Sequence, residues 1–135
     1  MTTHHHRMWI ALALALAGCT AAPSPSAEAV WIRTETSNDA TCHLATGEGT
    51  LVVDAVAGLG LGEPDGRVLH PYWPHGWSAR RDGGRTALLD ASARVVAHLG
   101  DRVRTSGALS EGDDWLVCAT RPVEVIATAQ PTALR

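Results

Sequence analysis

After residue 29, short runs rich in Val, Leu, Ile and Thr alternate with separators such as GLGLGEPDG, RRDGG and SEGDD. No other feature constrains the fold as much. An amphipathic helix needs its apolar period of about 3.6 residues sustained over roughly 11 residues or more, and these separators break it. The runs at 29–35, 49–58, 66–73, 85–91, 94–100, 101–107, 114–119 and 123–129 read as strands. Strands this short, divided by turn residues, belong to an all-β barrel or sandwich. The chain has no Phe, so Val, Leu, Ile and the four tryptophans after the leader are expected to fill the interior. A hairpin turn is expected at 90–94 and a tight turn at Gly100-Asp101, where Asp accepts a local backbone hydrogen bond. Alternation would put Val95, Ala97 and Leu99 on one face, with Val96 and His98 on the other.

The first 18 residues read differently. A polar start, MTTHHHR, precedes the apolar MWIALALALAG, the order of a secretory signal peptide. A membrane-spanning helix needs about 20 apolar residues, and this run is too short. It ends Leu16-Ala17-Gly18-Cys19, which resembles the lipobox of bacterial lipoproteins. The resemblance implies cleavage between Gly18 and Cys19, a diacylglyceryl thioether on the Cys19 sulfur, and a protein held on the outer face of the cell membrane. Two acyl chains meet the requirement for stable anchoring. Residues 19–29, with Pro, Ser and Ala and no apolar period, read as a solvated linker. The domain is then expected over 30–130, with 131–135 as a tail.

Three cysteines are an odd number for an exported chain. Assigning Cys19 to lipid leaves Cys42 and Cys118, which are expected to form a disulfide that persists outside the cytoplasm. Two buried free thiols are the alternative. A reactive thiol is disfavoured, because no Cys-x-x-Cys occurs and Cys118 sits in the apolar run WLVCA.

The 11 basic residues are all Arg and face 14 acidic ones, for a formal net charge of −3. Loss of Arg7 with the leader makes the chain more negative still. Such a chain does not attract phosphate backbones, and no nucleic-acid partner is expected.

The span 66–107, with YWPHGWS, the hairpin sequence LLDASARVVAHLGDRV and RTSG, resembles a group of small, uncharacterised actinobacterial envelope proteins with OB-like barrels. Their pattern is Trp-Pro-x-Gly-aromatic, a hairpin, then Gly-Asp-x-Val. The resemblance implies a small OB-like β-barrel and brings no activity with it.

HPYWPHGWSARR is the most unusual mature stretch. His70, Tyr72, Trp73, His75, Trp77, Arg80 and Arg81 are the candidate ligand-binding residues: rings to stack on a sugar, aromatic ligand or peptide, and guanidiniums to pair with carboxylate or phosphate. The competing reading makes Trp73 and Trp77 plugs of a core without Phe. His70 and His75 are too few for a metal site, and EGDD at 111–114 lacks the spacing of a calcium loop. G-x-S-x-G, P-loop and H-E-x-x-H motifs are all missing. No catalytic residue, metal or cofactor is therefore assigned. The expected function is a non-catalytic binding or accessory module of the cell envelope, with the membrane and an unidentified envelope protein or small ligand as partners. An envelope enzyme with its site near 70–81, and a purely structural envelope component, are the alternatives.

Overall fold

The computed structural model describes residues 27–38 and 41–130. The leader, Gly18 and Cys19 of the lipobox, the linker to residue 26 and the tail 131–135 lie outside the described residues. Within them the chain is all-β, with ten strands and no helix.

Five strands close a barrel. They are β2 (Ala45–Asp54), β3 (Gly58–Gly62), β4 (Val68–Tyr72), β8 (Arg102–Leu109) and β9 (Asp114–Val117). β2, β3 and β4 form an antiparallel meander, β4 pairs with β9 in parallel, β9 returns antiparallel to β8, and β8 closes on β2. This is a small OB-like barrel. β10 (Glu124–Ala127) shares the second edge of β8: it pairs along 102–104, whereas β9 takes 107–109. Alternation decides which residues enter the interior. Leu51, Leu59, Leu61, Leu69, Val103, Trp115 and Val117 point inward and are at most 5% exposed. Pro71 also points inward on β4, where pairing with β3 has already ended and its missing N–H costs no ladder bond.

A second sheet fills the connection between β4 and β8. β5 (Ser78–Asp82), β6 (Arg85–Leu89) and β7 (Val95–His98) form a meander, and β1 (Glu28–Val30) adds to its β5 edge. Ala79, Leu88 and Ala97 from this sheet join the barrel side chains in one hydrophobic cluster around Trp73. The hairpin between β6 and β7 turns where expected, at 90–94. Gly100 has φ +90°, and Asp101 accepts the His98 amide at 2.8 Å and the Ala129 amide at 2.8 Å.

The disulfide joins Cys42, just ahead of β2, to Cys118, just after β9, with a Cα–Cα distance of 5.1 Å. β2 and β9 are not neighbours in the barrel, since β8 lies between them. The bond therefore ties strands that hydrogen bonding leaves apart.

Several local expectations need correcting. GLGLG is a strand, not a separator: its two leucines fill the barrel, and its glycines occupy the outward positions. SARRD, divided in the sequence between the aromatic stretch and the separator RRDGG, is β5. The strand expected over 29–35 breaks after Val30, because the chain leaves the second sheet and crosses to the barrel. There the Arg33 amide donates to the Ala57 oxygen at 2.9 Å, and Thr34 bridges to Trp73. Strand pairing also includes residues before 30, since Glu28 and Ala29 pair with Arg81 and Arg80. A register shift opposite Leu88 and Leu89 skips Val96 and turns Val95 outward, 47% exposed, while Ala97 stays buried. Trp31 is not a core residue: it is 61% exposed.

Candidate functional site

The seven residues of the aromatic stretch do not converge. His70 and Tyr72 alternate with buried neighbours on β4 and face outward, under the crossing segment 31–35. Trp73 is fully buried, and its indole N–H donates to the Leu59 oxygen at 3.2 Å. Trp77 is half-buried and stacks on Trp73, with ring centroids 6.0 Å apart and planes 8° from parallel. Pro74 and Gly76 make the turn that folds Trp77 back, and Gly76 takes φ +82°. His75 is exposed; its Nδ1 lies 3.2 Å from the Glu35 oxygen, and its amide donates to Asn38. Arg80 and Arg81 sit on β5, where Arg81 reaches Glu28 at 3.7 Å and the Arg80 Nε is buried without a partner among the described residues. A strand alternates its side chains, so adjacent residues of one stretch are sent to different places.

The structure instead builds two clusters from residues distant in sequence. The first lies on the outer face of β2, β3 and β4. Asp54 at the end of β2 accepts the Ala57 amide at 2.7 Å and meets His70 Nδ1 at 2.9 Å. Burial works to raise the Asp54 pKa, but the hydrogen bonds from His70 and the Ala57 amide outweigh it and hold the carboxyl below its ordinary value. Beside them the Arg33 guanidinium donates to Asp114 Oδ1 at 2.8 Å and to the His70 carbonyl, and lies 3.7 Å above the Tyr72 ring. Asp54 and His70 bond each other, and Arg33 joins Asp114, the His70 carbonyl and the Tyr72 ring. This is a polar clasp that pins the crossing segment to the barrel, and among the described residues the His70 ring bonds to no side chain but Asp54.

The second is an open groove of about 540 Å³ between the β6–β7 hairpin and the segment 119–123 that leaves the disulfide. Trp77, Asp90, Arg94, Val95, Arg121 and Val123 line it. Asp90 is held by its own turn, accepting the Ser92 amide at 2.8 Å, the Arg94 amide at 3.1 Å and the Arg94 Nε at 3.0 Å. The Arg94 amide bond does most to hold the Asp90 carboxyl below its ordinary pKa. Arg94 is thereby neutralised. Arg121, exposed on the rim that this groove shares with a neighbouring pocket beside Arg104 and Glu124, has no ionic partner among the described residues, so the lining combines an indole, valines and an unpaired guanidinium. Such a lining can seat a small molecule with one apolar or ring face and one anionic group.

Of the seven candidate binding residues, Trp77 alone lines this groove. Asp90, Arg94, Val95, Arg121 and Val123 are not among the candidates for a site. Only the proximity of Arg121 to Cys118 signals anything, because the disulfide fixes where that segment runs. No three His, Cys, Asp or Glu side chains converge as a metal ligand set among the described residues. Comparison with family models, with curated proteins and with solved structures finds no match to this chain.

Proposed function

We propose that this protein is a lipid-anchored lipoprotein on the outer face of the cell membrane, and that its OB-like domain is a non-catalytic binding module of the cell envelope. The cysteine pairing carries the reading: the Cys42–Cys118 disulfide takes up the other two cysteines of the chain, leaving Cys19 at the end of the lipobox-like Leu16-Ala17-Gly18 for acylation. A disulfide also suits an oxidising compartment.

The ligand site is the groove floored by Trp77, and its ligand is a small envelope component with a ring or apolar face and an anionic group that Arg121 pairs. The negative net charge argues against nucleic acid. Asp54 and His70 stand at the distance of an acid–base pair, but the Asp54 carboxylate is occupied by the His70 ring and the Ala57 amide, which supports a structural use.

Intact-mass analysis of protein extracted from membranes tests the address. The expected species begins at residue 19 and carries acyl mass, and Cys19→Ala stalls processing or releases the chain from the membrane. Unmodified full-length protein in the cytosol would refute the proposal. Crosslinking in the native cell, compared between the parent chain and Trp77→Ala, tests the groove: loss of a captured species from a folded variant is expected.

A further inference from the structure

The chain enters the described structure beside an uncovered apolar corner. Trp31 is 61% exposed, Val53 72% and Val56 50%. Backbone contacts hold the Trp31 segment against the β2–β3 turn that carries the two valines. The Trp31 carbonyl lies so close to Gly58 that a Cβ there would collide with its oxygen, and the Arg33 amide donates to the Ala57 oxygen. In the β2–β3 register Val53 faces Leu59 and Asp54 faces Gly58. Val53 and Val56 therefore flank the turn against which Trp31 rests. The charge nearest this turn in sequence, Asp54, is folded back onto the Ala57 amide and His70, and its side chain is 11% exposed.

We infer that this corner rests on the surface of the bilayer that holds the acylated Cys19, with Trp31 at the level of the headgroups; the inference depends on the lipoprotein reading above. The length of the chain outside the described residues identifies the occupant. Residues 19–27 join the anchor to the first described residue and, at no more than about 3.5 Å per residue, reach roughly 30 Å when fully stretched. Trp31 follows directly. A tether this short turns surface contact into an intramolecular event at an effective concentration of about millimolar, so a corner of three residues, too small to capture a free partner, suffices. The chemistry fits the location: an indole has an apolar body and a polar N–H, the combination enriched at membrane–water interfaces, and the valines add apolar area that sinks into the boundary. The docked face would orient the domain, where the linker alone would leave it free to tumble.

The experiment uses the acylated full-length protein, purified from membranes and reconstituted into phosphatidylcholine–phosphatidylglycerol vesicles whose acyl chains carry bromine near the headgroups. Trp73 and Trp115 are buried, so Trp31 is the indole most open to such a quencher. Brominated vesicles are expected to quench tryptophan emission relative to plain ones, and Trp31→Phe to remove most of that quenching. Val53→Glu combined with Val56→Glu should lower it by about half or more with the disulfide intact. Equal emission in brominated and plain vesicles, from protein whose acyl mass on Cys19 is verified, overturns the docking and leaves the lipoprotein reading standing. Protein without acyl mass that stays out of the vesicles overturns both.

Discussion

Asp54 of β2 and His70 of β4 meet across the intervening strand, Oδ2 to Nδ1 at 2.9 Å, because Gly60 of β3 has no side chain to stand between them. A Cβ at Gly60 would lie 2.6 Å from Val68 Cγ1 and 2.9 Å from the Asp54 Cβ. The alternation of GLGLG thus serves two faces at once: leucines fill the barrel, and glycines let the polar clasp close over it.

Gly60→Ala is expected to part this pair and to destabilise the domain by about 1–3 kcal/mol, the usual cost of overpacking. Urea unfolding measures the loss. A variant as stable as the parent would show that the outer face has room the geometry denies.

Acid should weaken the clasp. The folded-state pKa of Asp54 is lowered, so its contribution to stability is complete above the unfolded-state value, near 3.8, and is lost as pH falls through the lower folded value. Thermal melts between about pH 6 and pH 2 should fall less steeply for Asp54→Asn than for the parent, with the variant already less stable at neutral pH. Parallel acid limbs would assign the decline to other carboxylates.

The two stacked tryptophans should separate in their effects. Trp73→Ala empties the centre of the core and is expected to cost about 3–5 kcal/mol, enough to unfold a domain of this size. Trp77→Ala removes a half-buried ring and should cost nearer 1 kcal/mol, with a folded spectrum and loss of ligand capture. If Trp77→Ala unfolds the chain as Trp73→Ala does, the groove floor is simply core.

Removing the brace should be severe. The disulfide closes a sequence separation of 76 residues, for which the chain-entropy relation gives about 4–5 kcal/mol. The Cys42→Ser and Cys118→Ser double variant, or the reduced parent, should melt far below the oxidised protein. An unchanged midpoint would mean that the barrel is closed by β8 pairing alone.

What the chain carries locally was readable without coordinates. Turn clusters and short β-branched runs mark an all-β chain, the Gly100-Asp101 turn has its glycine and its acceptor side by side, and the cysteine count pairs Cys42 with Cys118. These follow from backbone preference and chemistry that act within a few residues, or from elimination. Tertiary structure alone decided that GLGLG is a barrel strand, since its glycines are informative only when β2 and β4 flank them. It decided that HPYWPHGWSARR is scattered, since alternation and a turn send each ring to a different surface. It also gathered Trp77, Arg94 and Arg121 into one groove, and left Trp31 uncovered beside the β2–β3 turn. Those relationships join residues that meet only when the barrel closes, and burial and pairing energies set them there rather than any signal along the chain.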